Sequence, residues 1–73
     1  MIIYDRLWTL LKEKNISQYA LINKYGFSPA QITRLKHNEV IKTSTIDKLC
    51  ILLDCSVNDI MEFVNDESSR TII

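Results

Sequence analysis

The sequence predicts an all-α domain of five compact helices, and three observations carry that prediction. Glycine and proline occur once each in 73 residues. No alternating β-branched run bounded by turn residues appears in the middle of the chain. Ser17, Ser28, Ser44 and Ser56 each stand just ahead of a segment whose apolar residues recur at helical spacing. A serine at an N-cap satisfies backbone N–H groups that the first helical turn leaves unpaired, so each serine marks a start. A chain this short forms one domain and buries only about 60% of its unfolded surface, which favours efficient packing or self-association. The domain is read as residues 1–66, with 67–73 as a C-terminal tail.

The first helix runs from about Tyr4 to Lys14, with Leu7, Leu10 and Leu11 on one face beside Ile3. Ser17 opens the second, whose inward residues are Ala20, Leu21 and Tyr25. Ser28 opens the third. Pro29 takes the first helical position, where its missing N–H costs nothing, and Gln31 completes an S-x-x-Q capping box. Ile32 and Leu35 form the buried side of this helix. Ser44 with Asp47 and Ser56 with Asp59 repeat the box ahead of the fourth and fifth helices, each acid favourably placed at a helix N-terminus. Ile46, Leu49, Cys50 and Leu53 face inward from the fourth helix, and Val57, Ile60, Met61 and Val64 from the fifth. "MIIY" at the start and "RTII" at the close are short β-prone runs that can pair; the other expectation is a disordered tail behind the connector "NDESS".

Between the second and third helices Gly26 supplies a left-handed residue, Phe27 bridges the turn, and Ser28 begins the next helix at once. Helix, three-residue turn with glycine, capped helix is the sequence form of a helix-turn-helix, here made by helices 2 and 3. Asn38 ends the third helix, and asparagine is the non-glycine residue that best tolerates that left-handed position. At about 100° per residue, the side opposite Ile32 and Leu35 collects Ala30, Thr33, Arg34 and His37, flanked by Pro29, Gln31 and Lys36. Such a rod fits a major groove about 12 Å wide.

Charge and composition narrow the functional classes. The net charge is zero, but Met1 to Thr43 holds seven basic residues against three acidic, a net of +4, and Ser44 to Ile73 holds two against six, a net of −4. That split suits a basic face toward a phosphate backbone, though ordinary solvated charge also accounts for it. Cys50 and Cys55 lack metal-ligand spacing and His37 is the sole histidine, so no metal is expected; Cys50 reads as a small buried apolar residue. No catalytic constellation can be assembled around one histidine, and there is no glycine-rich phosphate loop, so the chain is not read as an enzyme, and no cofactor or small-molecule ligand is evident. The apolar stretch Leu49 to Leu53 is far short of the roughly 20 residues that span a bilayer, and the expected location is cytoplasmic, with no membrane partner.

"ISQYALINKYGFSPAQITRLKHNE" resembles the helix-turn-helix of the phage-repressor (lambda-repressor/Cro-like, XRE-type) transcriptional regulators. Ile16, Ser17, Gln18, Leu21, Lys24, Gly26, Ser28, Ile32 and Arg34 match that family's pattern position for position. "TSTIDKLCILLDCSVNDIMEFV" is similar to the family's closing two helices, so the likeness spans about Leu7 to Val64. The resemblance implies a lambda-repressor-like fold and sequence-specific binding of double-stranded DNA by a transcriptional regulator, in the first instance a repressor, with helix 3 in the major groove. It implies that Arg34 and Gln31 read bases, arginine suiting guanine and glutamine adenine, and that Thr33 meets a thymine methyl or a phosphate. Pro29 and Ala30 stand where the family has polar residues; neither side chain can donate a hydrogen bond, so part of the reading there is apolar or shape-based. Ser17, Gln18, Ser28, Lys36, His37, Asn38 and Lys42 are the implied phosphate contacts. Gln31 reads equally as a member of the capping box, His37 reads first as a solvated surface residue, and Lys36 and Lys42 also read as solubilising charges. Asn38 and Asp54 occupy positions where the family often has glycine.

One recognition helix touches few base pairs, so a homodimer on an inverted-repeat operator is expected, at least on DNA. Ile51 and Phe63 lie off the inward faces and form the candidate dimer interface. The rival reading is a protein-interaction module of the same fold, such as an antitoxin or regulatory subunit.

Overall fold

The computed structural model describes residues 1–65. Strand β1 (Ile2–Ile3) leads into α1 (Asp5–Glu13), α2 (Gln18–Asn23), α3 (Pro29–Lys36) and α4 (Thr43–Leu53); a single 3-10 turn (Val57–Asp59) follows, and β2 (Glu62–Phe63) returns to pair with β1. Thus four helices form where the sequence predicts five, and the domain is mostly helical with one small ribbon.

The fifth helix fails although its capping contact is made: the Ser56 N–H donates to the Asp59 carboxylate at 3.0 Å. After one turn the chain extends, because β1 offers an open edge. Ile2 pairs with Phe63 and Ile3 with Glu62, antiparallel, and the Val64 N–H donates to the Met1 carbonyl at 2.8 Å. Of the residues expected inside, Ile60 is fully buried and Met61 partly so, whereas Val57 and Val64 are exposed. Asn58 and Asp59 favour local turns over continued helix. The run "MIIY" therefore does pair, with Glu62–Phe63; its expected partner "RTII" and the tail 67–73 lie outside the described residues. Arg6 fastens the ribbon to α1, donating to the Asn58 carbonyl at 2.9 Å and to Glu62 at 3.2 Å.

The core draws on every helix: Tyr4, Leu7, Leu11, Leu21, Phe27, Ile32, Leu35, Ile46, Leu49, Leu53 and Ile60 are buried. Leu10, Ala20, Tyr25, Cys50 and Ile3, also expected inside, are half-buried.

Three helices end in the same way. Asn15, Asn38 and Asp54 hold left-handed backbones (φ 57°, 54° and 50°), and the next residue's N–H returns to a carbonyl five positions back: Ile16 to Leu11 at 2.9 Å, Glu39 to Arg34 at 2.9 Å, Cys55 to Cys50 at 3.1 Å. This closure usually employs glycine; asparagine and aspartate tolerate it because their short polar side chains bond locally. The two glycine-like positions noted in the sequence, Asn38 and Asp54, do adopt the left-handed conformation. Asn15 does so without having been anticipated.

Ser17 caps α2, its hydroxyl oxygen accepting from the Ala20 N–H at 3.0 Å. Ser44 is a correction: α4 begins at Thr43 with Lys42 at the N-cap and no side-chain cap bond, so the Ser44–Asp47 box does not form. The helix starts early enough for Thr45 to turn inward, buried, as the partner of a glutamine on α3.

Candidate nucleic-acid interface

The turn between α2 and α3 is set by Gly26, whose φ of 78° is a left-handed backbone. A Cβ there would meet only the Lys48 Nζ at an ordinary 3.7 Å, so conformation and not crowding selects glycine. Phe27 then drops into the core, its N–H donating to the Leu21 carbonyl at 2.9 Å. The Lys48 ammonium covers the Phe27 ring at 4.5 Å, which accounts for that lysine within the fold. Anchoring Phe27 fixes where Ser28 must start α3.

The capping box of α3 is complete. The Ser28 oxygen accepts from the Gln31 N–H at 3.2 Å, and Gln31 Oε1 accepts from the Ser28 N–H at 2.9 Å. Gln31 Nε2 donates in turn to the Thr45 hydroxyl at 3.2 Å. Both ends of this amide are thereby used inside the protein, and the residue is half-buried. One glutamine ties the start of α3 to the first turn of α4.

Ile32 and Leu35 seat α3 against the core, each burial being worth about 2 kcal/mol. Pro29, Ala30, Thr33, Arg34, Lys36 and His37 are exposed. The Thr33 hydroxyl donates back to the Pro29 carbonyl at 3.0 Å, which turns its methyl outward from that bond. Arg34 sits in the last turn, where a cation complements the helix dipole. Glu39 returns its N–H to the Arg34 carbonyl but makes no ion pair with it; among the described residues the one ion pair joins Arg6 to Glu62.

Ser28, Gln31, Arg34 and Lys42 line a single depression, together with Gly26, Val40, Ile41 and Thr45. Basic side chains from the end of α3 and the start of α4 thus share a concave wall with a helix N-terminus. Ser17 and Gln18 open α2 and are exposed. Asn38 is half-buried, with its Oδ1 accepting from the Tyr4 N–H at 3.0 Å, and the Tyr4 hydroxyl donates to the Glu39 carbonyl at 3.3 Å. Burial raises the Tyr4 phenol above its ordinary pKa.

Two exposed residues on the helix-turn-helix and the loop after it escaped the sequence reading. Val40, 91% exposed, borders the depression from the loop after α3, and Tyr19, 75% exposed, follows Gln18 on α2. Neither breaks a periodic pattern, so an apolar residue left outside was invisible until the loop and helix were placed. Among the described residues no group of three metal-ligating side chains forms, and no helix is long and apolar enough to cross a membrane.

This arrangement has relatives. The family model for the Cro/C1-type helix-turn-helix DNA-binding domain matches residues 6–66. An uncharacterized HTH-type transcriptional regulator of Bacillus subtilis (strain 168), YozG, is 28% identical over 71 residues, a match that covers 94% of this chain and 84% of that protein. The crystal structure of the transcriptional regulator VanUg matches with a TM-score of 0.81 and 26% identity, over 89% of this chain and 87% of that one.

Proposed function

The chain belongs to the Cro/C1-type helix-turn-helix DNA-binding domain family, and from that membership we propose that it is a cytoplasmic, sequence-specific transcriptional repressor that lays α3 in the major groove of an inverted-repeat operator. Residues 1–66 act as the single binding domain, with 67–73 as its tail. One observation carries the reading: α3 buries Ile32 and Leu35 and leaves Pro29, Ala30, Thr33 and Arg34 exposed on a helix fixed at both ends.

Arg34 is the principal base reader, suited to guanine O6 and N7. Thr33 presents its methyl to thymine, and Pro29 and Ala30 contribute apolar contact at the groove floor. Gln31 holds α3 in register, and a base contact from it requires giving up a bond to Ser28 or Thr45. Ser17, Gln18, Ser28, Lys36, His37 and Lys42 contact phosphates, which fix register without carrying sequence information. Asn38 joins them only through its amide nitrogen, its oxygen being taken by Tyr4.

Binding as a homodimer follows from the small footprint of one α3, and the exposed Ile51 and Phe63 supply the apolar surface for it. The test is selection of bound sequences from random duplex DNA by the purified protein beside an Arg34→Ala control. An inverted repeat recovered only by the parent protein supports the reading. Binding that is weak, sequence-independent and insensitive to salt defeats it, since each neutralised phosphate must release counterion, and returns the chain to its rival role as a protein-interaction module.

A further inference from the structure

The closure at the end of α4 has a chemical consequence that its counterparts on α1 and α3 lack. In this type of helix end the side chains at the two residues joined by the long backbone bond are brought to the same side of the turn and frequently touch. On α1 those residues are Leu11 and Ile16, both apolar; on α3 they are Arg34 and Glu39, which make no ion pair; on α4 they are Cys50 and Cys55. The Cys55 N–H reaches the Cys50 carbonyl at 3.1 Å, and with standard bond lengths on either side the two Cα atoms lie at most about 7 Å apart. A disulfide spans Cα separations up to about that distance. Both residues are free thiols, half-buried, and both line one open groove of about 920 Å³ with Ile46, Val57 and Met61. They are therefore near each other and reachable from solvent.

We propose that Cys50 and Cys55 are a redox modification site, a dithiol that a low-molecular-weight disulfide converts reversibly into an intrachain disulfide. One protein thiol attacks a sulfur of the small disulfide as thiolate. A mixed disulfide forms, the small molecule's S–S bond breaks, and one small thiol leaves with the released proton. The second protein thiol attacks the mixed disulfide, the Cys50–Cys55 bond forms, and a second small thiol leaves. Two protein thiols are oxidised and one small disulfide is reduced to two thiols. Burial and the neighbouring Cys50 thiol raise Cys55, which suits it to the second, intramolecular step, where proximity compensates for a small thiolate fraction. The product closes a loop around Asp54 that the backbone already closes by hydrogen bonding, so α4 need not unwind to form it.

The full chain is equilibrated with mixtures of oxidised and reduced glutathione, quenched with acid, and weighed intact under non-denaturing preparation. The expected product loses the mass of two hydrogen atoms, carries no glutathione, runs at the mass of one chain on a denaturing gel without reductant, and reverts with dithiothreitol. Cys55→Ser, checked for helical content by circular dichroism, should instead retain glutathione on Cys50, because nothing resolves the mixed disulfide. Glutathione persisting on the parent chain, covalent dimers, or unmodified thiols in fully oxidised buffer would each overturn the proposal.

Discussion

Asn38 accepts the Tyr4 N–H through its Oδ1 at 3.0 Å while its own backbone stays left-handed at φ 54°. One residue thereby ends α3 and ties that end to the start of α1, 34 positions away in the chain. The two contributions separate by substitution. Asn38→Gly keeps the turn and loses the bond, which should cost about 1 kcal/mol. Asn38→Ala loses the bond and also the local polar bonding that lets asparagine tolerate the left-handed region, leaving the Cβ strain there uncompensated, for about 2–3 kcal/mol in all. Chemical denaturation measures the two; equal losses would show that the turn carries no strain.

Gln31 offers a comparable separation of fold from recognition. With Oε1 on Ser28 and Nε2 on Thr45, Gln31→Ala should lower stability by about 1–2 kcal/mol and weaken all DNA sequences together as α3 loosens. Thr45→Val should reproduce part of the stability loss from the other side of the bond. If Gln31→Ala leaves stability intact and relaxes preference at one base pair, the glutamine reads DNA directly.

Arg34 and Lys42 share a depression yet should fail differently. Arg34→Ala should relax preference at one position in each half-site and cost about 1–3 kcal/mol of discrimination there. Lys42→Ala should weaken every sequence alike and flatten the dependence of log affinity on log salt by about one unit. Neither touches the core, so thermal melts should move only by the helix-dipole contribution of Arg34, below about 1 kcal/mol. Fluorescence anisotropy across a salt series separates the two; identical profiles would mean both residues contact only phosphate.

Legibility of the fold followed the range of the interactions involved. The start of α3 could be read because Ser28, Pro29 and Gln31 act within one turn, and their bonds are found as expected. Gly26 and Asn38 were legible for the same reason, each setting its own backbone. Ser44 misled because its box competes with an earlier start that lets Thr45 reach Gln31, a contact 14 positions away. The fifth helix misled for a similar reason: the edge that captures Glu62–Phe63 comes from Ile2–Ile3, at the opposite end of the chain. On the candidate surface, exposure of Arg34 and Thr33 followed from periodicity, whereas the internal commitments of Gln31 and Asn38 depend on Thr45 and Tyr4 and could not be inferred from spacing.

Ile51 is 75% exposed on α4, and Phe63 is 66% exposed on β2. Burying either in a partner subunit would supply the apolar driving force that the proposed operator binding needs from a dimer, and a charge placed there should remove it. Ile51→Lys and Phe63→Lys should each leave helical content unchanged, since neither side chain contributes to the core. Each should weaken self-association by about 5- to 150-fold, the range for an apolar interface anchor worth about 1–3 kcal/mol. Binding to a full inverted repeat should fall with it, while the weak affinity for a single half-site stays constant. Sedimentation velocity and half-site titrations read the two effects independently. A variant that sediments like the parent and keeps full operator affinity removes that residue from the interface; a parent chain that stays monomeric on a two-half-site duplex removes the dimer itself.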